Sequence, residues 1–346
     1  VSLGTVCDVV PLIGLNRALV KQGLEILKSK KNLGLKTLLD ICKIENKPSI
    51  YHLGFMLGPR INAGGRVGKC SHGANLLLNN DPKDAFKLAS ELDQFNKERQ
   101  MLEKDLLQKI LNETKNYVKD PVLVLSGSNW HEGIIGIVAA RLKDKFNKPV
   151  IIISIEGQVG KASARSIVGF DIGSVIIAAT QNKILLKGGG HKMAGGFSIN
   201  IKDIEKFKDF VFRKFKNINE DLTSDKPLYL DSVISPTAIN LDFYNKVNNL
   251  APFGSGNPEP KFIIENLKTI NGKIVGEKHI KSVLIGEDGS AIKTIAFNAI
   301  ENDLEAYLLI KNNKLFNIAG KLSLNEWRGQ SNVEFIIDDI SVNKTF

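Results

Sequence analysis

Three cysteines, Cys7, Cys42 and Cys70, are all that the 346 residues contain. They are odd in number, widely spaced and outside any CxxC pattern, which argues against a disulfide framework and a structural zinc site. The chain also lacks an apolar run long enough to span a bilayer and a signal-peptide layout at its start. Together these absences point to a reducing cytoplasm. Negative charge is short as well: 37 Asp and Glu stand against 47 Lys and Arg, a formal net charge of +10. A surplus of that size favours a polyanionic partner, or merely keeps a protein dissolved. What remains is ordinary for a globular chain, 43% hydrophobic and 24% charged, and the length suggests two or three domains rather than one core. There is no initiator methionine and Val1 stands almost on a motif, so the chain reads as the C-terminal portion of something longer.

The densest local signal is Lys187-Gly188-Gly189-Gly190-His191-Lys192-Met193-Ala194-Gly195-Gly196, with five glycines in nine residues from Gly188. Glycine costs backbone entropy, so such a run persists where backbone must adopt φ > 0 or approach something closely. Beside a histidine and two lysines it reads as a nest for an anion such as phosphate, or as a tight turn into a strand. The residues before it converge on the same chemistry. Val122 to Leu125 reads as a strand, Ser126 to Gly133 as a polar turn and Ile134 to Phe146 as a helix, which delivers an anion-attracting helix N-terminus at His131. His131 there is a phosphate donor or only a cap. Pro149 to Ile155 reads as a buried strand, and alternation over Gly160 to Ser166 puts Lys161, Ser163 and Arg165 on one face, lining a site or merely solvated.

Elsewhere, Thr5 to Leu12 reads as a β-rich apolar run interrupted by Asp8, whose carboxylate must meet a cation or cap the strand end. Helical spacing follows over 16–29 and 33–44, and 49–57 reads as a helix stopped by Gly58-Pro59. Arg60 to Arg66 reads as a glycine loop with two arginines, suited to nucleic-acid phosphates or simply solvated. Asp81-Pro82-Lys83-Asp84 opens a helix that Leu88, Leu92, Phe95, Leu102 and Leu106 carry to about Tyr117. At ~1.5 Å per residue it would extend about 50 Å, a connector's length. Its Lys97-Glu98-Arg99 and Glu103-Lys104-Asp105 read as a solvated face. A helix near Asp203 to Phe215 closes an α/β domain. After Lys226-Pro227 come short strands over 228–233, 261–270, 279–285, 291–297, 315–324 and 332–342, a pattern that predicts a small barrel of the OB-fold type. Trp327 and Arg328 fall in its last hairpin, where the indole is a base-stacking candidate or covers the barrel end.

Taken in order, Gly4-Thr5-Val6-Cys7-Asp8-Val9-Val10-Pro11-Leu12, Gly58 to Arg66, His131 to Ala139, Ser163-Ala164-Arg165-Ser166, Gly188 to Gly196 and Pro252 to Pro260 resemble successive motifs of the RecJ family of single-stranded-DNA exonucleases, among the DHH/DHHA1 phosphoesterases. Nearly the whole chain is covered. The resemblance implies an α/β protein made of the end of a DHH domain (1–80), a connector helix (81–118), an α/β DHHA1 domain (119–222) and a C-terminal β-barrel, the OB-fold (223–346). It implies 5′-to-3′ hydrolysis of single-stranded DNA in repair and recombination, with Mg²⁺ or Mn²⁺ in a two-metal site. Asp8 and His191 become catalytic residues, Asp8 as a metal ligand, in a motif where Cys7 replaces the family's usual alanine. Arg60, Arg66, His131, Ser163, Arg165, Gly188, Gly189 and Gly190 become phosphate or nucleic-acid contacts, with Trp327 and Arg328 on the trailing strand.

The expected partners are single-stranded DNA with a 5′ end, a single-strand-binding protein and a helicase, and no membrane. The family's other metal ligands lie in aspartate motifs and an Asp-His-His signature before the position of Asp8, and this sequence has none of them. Residues 1–346 are therefore expected to be an incomplete enzyme. Two other readings stay open: a non-catalytic single-stranded-DNA-binding remnant or scaffold, and an oligonucleotide or cyclic-dinucleotide phosphodiesterase.

Overall fold

The computed structural model describes residues 1–45, 47–113, 119–216, 227–300, 304–309, 314–327 and 330–342. They form two compact units, one of residues 26–226 and one of residues 1–25 with 227–346. The helices in chain order begin with α1 (Ser2–Cys7), α2 (Gly14–Lys28), α3 (Leu33–Ile41), α4 (Gly58–Val67), α5 (Ser71–Leu78) and α6 (Pro82–Glu113).

In the unit of residues 26–226, Asn32 caps α3 by accepting from the Leu35 N–H at 2.9 Å. Asp81 caps α6 in the same way, accepting from the Lys83 and Asp84 N–H groups, with Pro82 as the first helical residue. The described part of α6 ends at Glu113, and Tyr117 lies outside the described residues. Two expectations fail here. Gly58-Pro59 does not stop the preceding helix: residues 52–57 form a π-helical turn that runs straight into α4. A widened turn upstream accommodates a residue that has no N–H to give and whose ring would clash in a regular helix. For the same reason Arg60 to Arg66 is not a loop but the body of α4. Ala63 and Gly64 are buried there, and a Cβ on Gly64 would lie 3.2 Å from Leu92 of α6, so the small residues serve close helix packing.

Next come β1 (Leu123–Ser128), α7 (Glu132–Phe146), β2 (Val150–Glu156), β3 (Val159–Arg165), α8 (Ile172–Gln181), β4 (Lys187–His191), β5 (Ala194–Asn200) and α9 (Ile204–Lys216). The sheet order is β1-β2-β3-β5-β4, with β1 and β2 parallel and the other pairs antiparallel. One face packs Ile151, Ile153, Ala164, Phe197 and Ile199 against Ile176 of α8 and Phe207 and Val211 of α9. The other packs Leu123, Val150 and Ile152 against Ile134, Val138 and Leu142 of α7, with Leu106 and Ile110 of α6. β2 is covered on both sides, which is why Val150 to Ile153 is continuously apolar instead of alternating. The glycine stretch is not an open nest. Gly188 to Gly190 form the edge strand β4, Lys192-Met193 is the hairpin turn, and none of these glycines has positive φ.

In the other unit the predicted strand at Thr5 to Leu12 is instead α1, with Asp8 as its C-cap and Val9 at φ 55°. β propensity is a weak prior that tertiary packing overrides. Leu12 is buried and its N–H donates to the Ser255 carbonyl at 2.6 Å, while Arg17 Nη2 donates to the Leu250 and Ala251 carbonyls. The Pro252 to Pro260 motif is thus docked on residues more than 230 positions earlier. After β6 (Ser232–Val233) and α10 (Leu241–Asn248), the strands β7 (Phe262–Val275), β8 (His279–Ile285), β9 (Ala291–Ala296), β10 (Phe316–Trp327) and β11 (Gln330–Val342) pair as β10-β11-β9-β8-β7, with the short helix α11 (Glu305–Leu308) between β9 and β10. β10 also pairs with β7, which closes a five-stranded barrel around Phe316, Phe335, Ile264, Leu267 and Leu284. Among the described residues no helix is long and apolar enough to cross a membrane.

Candidate functional site

Four of the sequence-predicted residues meet around the first turns of α7. His131 caps that helix, its Nδ1 accepting from the Gly133 N–H at 3.1 Å. The ring's Nε2 is then the protonated nitrogen, an exposed donor. Arg66, at the end of α4, donates from Nη1 to the Gly133 carbonyl at 3.0 Å. Arg165 of β3 donates from Nη1 to Ser163 Oγ at 3.1 Å and to the Ala164 carbonyl at 2.8 Å. Two glycines one turn apart on α7 make this possible. A Cβ on Gly133 would collide with the backbone carbonyl of Arg66, and one on Gly136 would stand 2.9 Å from Ser163 Oγ and 3.1 Å from Arg165 Nη2.

These contacts separate two outcomes. Gly133→Ala must displace α4 from α7, and its expected cost is ~1–3 kcal/mol in a thermal or denaturant melt. Gly136→Ala meets only side-chain atoms, so it should leave the melt nearly unchanged and turn the Arg165 guanidinium away, which phosphate binding would report.

Burial holds the Arg165 guanidinium below its usual range, and the charge of Arg66 pushes it further down. Arg66 is shifted down by burial and by Arg99, with Glu103 partly offsetting them. Among the described residues neither Arg66 nor Arg165 forms an ion pair. Because a guanidinium does not give up its proton, this is electrostatic tension that a bound anion would relieve.

Beyond α7, the same sheet face is nearly bare. Cross-strand partners share a face, so the rows Arg165–Ala194–His191 and Ser163–Gly196–Gly189 run from β3 over β5 to β4. At the spacing of strands, His191 stands about 10 Å from Arg165. His191 is exposed, and its Nδ1 accepts from the Met193 N–H at 3.3 Å, leaving Nε2 outward as at His131. Nothing lies within 4 Å of a Cβ placed on Gly189. The glycines therefore make a floor without side chains, with a strand edge that no other described strand pairs, between an arginine and a histidine.

Other predicted residues lie elsewhere. Arg60 is half-buried on α4, its Nε bonded to Asp93 Oδ1 and its Nη1 to the Met56 carbonyl, both at 2.8 Å. Asp8 is exposed at the end of α1. Among the described residues no group of three or more His, Cys, Asp and Glu could hold a metal ion, so these residues do not fit a two-metal centre. Trp327 is the last residue of β10, and its side chain and Arg328 lie outside the described residues.

Sequence reading missed one feature. Arg99 and Glu103 are not on a solvated face: they are 9% and 4% exposed. Arg99 donates to Glu103 Oε2 at 2.7 Å and to Asn96 Oδ1 at 2.9 Å, and Arg141 of α7 pairs with Glu103 Oε1. The signal was present, since Leu92, Asn96, Arg99, Glu103, Leu106 and Ile110 follow one buried stripe at spacings of four and three.

The comparisons with known proteins agree with this fold. Residues 119–217 match the family model of the DHHA1 domain, and residues 230–339 match that of the RecJ OB domain. The sheet with its cationic face and the closed barrel therefore define a protein of the DHHA1–OB type. The single-stranded-DNA-specific exonuclease RecJ of Haemophilus influenzae is 33% identical over 98% of this chain and 60% of its own length. RecJ of Bacillus subtilis is 29% identical over 99% of this chain and 44% of its own. The crystal structure of RecJ in complex with Mn²⁺ from Thermus thermophilus superposes with a TM-score of 0.84 at 28% identity, over 98% of this chain and 48% of that one. Over nearly all of its length the chain is similar to members of the RecJ family. It spans about half the length of the curated relatives it matches.

Proposed function

We propose that residues 1–346 supply the end-recognition and strand-holding part of a single-stranded-DNA-specific 5′-to-3′ exonuclease of the RecJ type, a phosphodiester hydrolase of DNA repair and recombination. The observation that carries this is the like-charged pair of a half-buried Arg165 and an exposed Arg66, neither of which has a carboxylate ion-pair partner among the described residues. A terminal phosphate beside Ser163, Arg165 and the start of α7 would satisfy both, and the glycine floor leaves room for the first nucleotide up to His191. Arg60 takes a supporting role through α4. The barrel would hold the trailing strand, with Trp327 and Arg328 as its base and backbone contacts. A cytoplasmic setting, a single-strand-binding protein and a helicase fit that substrate.

Mg²⁺ or Mn²⁺ would supply the activated water and charge neutralisation for hydrolysis, and Asp8 offers one ligand to it. One carboxylate does not hold two ions. Residues 1–346 on their own are therefore expected to bind and not to cut, which also favours the second reading, a single-strand-binding scaffold. Fluorescence anisotropy against 5′-phosphorylated and 5′-hydroxyl single strands in a salt series tests the first reading. The expected result is salt-sensitive binding that prefers the phosphate, and equal binding of the two ends would overturn it. Incubation with Mn²⁺ is expected to leave the strands intact, and degradation abolished by Asp8→Ala would show that the chain carries a working metal site. Preference for dinucleotides over long strands would move the assignment to a dinucleotide phosphodiesterase.

A further inference from the structure

A cleft of about 270 Å³ lies beside the start of α7, on the side facing α6. Its apolar wall is Trp130 with Leu102, Leu106 and Ile134, and its polar groups are Asp105, Lys109, Ser128, Asn129 and His131. Trp130 is 8% exposed, and its indole Nε1 is a buried donor with no hydrogen-bond partner among the described residues. Buried donors are nearly always satisfied, so this one calls for an explanation. Asp105 and Lys109, one turn apart on α6, form no ion pair with each other or with any other described residue. Asn129 is held at φ 63°, a conformation that non-glycine residues take up rarely and mostly at functional turns.

We infer that this cleft is a second ligand site, which takes the base of a nucleoside 5′-monophosphate. An indole and three aliphatic side chains offer a flat apolar wall for a planar ring. Asp105 accepts, Lys109 and His131 Nε2 donate, and Ser128 and Asn129 do either, which suits the mixed edge of a nucleobase and not a purely apolar guest. The volume accommodates a single nucleoside and falls at the lower limit of small-molecule pockets. The phosphate of such a ligand would lie toward His131 and the positive end of α7. The cleft adjoins the phosphate site of Arg66 and Arg165 and shares His131 and the start of α7 with it, while its base-binding wall on α6 and Trp130 lies apart from both arginines.

Trp130 reports its own occupancy. The chain has two tryptophans, so the full chain carrying Trp327→Phe leaves Trp130 as the only indole emitter. Titration with dAMP or dTMP is expected to change its emission saturably, whereas 2-deoxyribose 5-phosphate and inorganic phosphate leave it unchanged. Asp105 and Lys109 are exposed, so the double variant Asp105→Ala, Lys109→Ala should fold, and it is expected to weaken the response roughly tenfold or more. Arg165→Ala is expected to leave the response intact while it abolishes the phosphate preference of single strands, which keeps the two sites distinguishable. No response to the nucleotides, or an equal response to the sugar phosphate, would overturn the inference. Loss of the response in Arg165→Ala would assign the nucleotide to the sheet face instead.

Discussion

Replacing Arg165 by alanine is expected to erase the preference for a 5′-phosphorylated strand and to lower its affinity by about 10- to 100-fold, the worth of one or two hydrogen bonds to a charged group. The sign on stability should be opposite to that of a usual half-buried substitution. Burial and the charge of Arg66 both disfavour the Arg165 guanidinium, and its partners are the neutral Ser163 hydroxyl and the Ala164 carbonyl. Removing it therefore relieves Arg66 and should leave the melting temperature unchanged or slightly raised. Arg165→Lys keeps a charge but loses the planar fork, and an intermediate affinity is expected. Anisotropy and a melt on the same preparations decide the matter. A large fall in melting temperature with phosphate preference intact would make Arg165 a structural residue.

The second large effect is expected at Glu103. Glu103→Ala leaves Arg99, 9% exposed, with its charge buried and only Asn96 to meet it, and the expected loss is ~3–5 kcal/mol in denaturant unfolding. Arg141 contributes little to that figure because its side chain is 60% exposed and can turn to water. Replacing Asn96, Arg99 and Glu103 together by apolar residues of similar volume should recover most of the loss, since a buried ion pair seldom outperforms well-packed hydrocarbon. It would also remove both charges that act on Arg66 from α6, the repelling Arg99 and the partly offsetting Glu103. Weakened phosphate binding in a triple variant of normal stability would then trace the network's role to the site. A Glu103→Ala loss under about 1 kcal/mol would mean that water reaches Arg99.

The candidate site was legible where its geometry is local. A period of two along Lys161 to Arg165 places Ser163 and Arg165 on one face, and a strand, a polar turn and a helix in succession place His131 at a helix start. Both follow from spacing within a few residues. The glycine stretch was legible as an unusual backbone and not as a particular one: Gly188 to Gly190 need no positive φ, and close cross-strand approach explains them equally well. Arg60 to Gly65 misled for a related reason, because glycines that signal a loop locally also permit two helices to touch. Arg99 and Glu103 misled because charge ordinarily marks solvent, and only their pairing with each other and Asn96 on α6 and with Arg141 of α7 makes their burial tolerable.

The long α6 helix, the α/β character of residues 119–216 and the strand succession of the barrel are therefore properties of the sequence alone, since each rests on periodicity and on Gly, Pro and capping residues close at hand. Tertiary structure decided that α4 brings Arg66 to α7, that its exposed charge raises the cost of the half-buried Arg165, and that residues 1–25 pack with 250–257. Those outcomes depend on which surfaces meet across long stretches of chain. Burial, and with it the energy of every charge in the site, exists only once those surfaces are in contact.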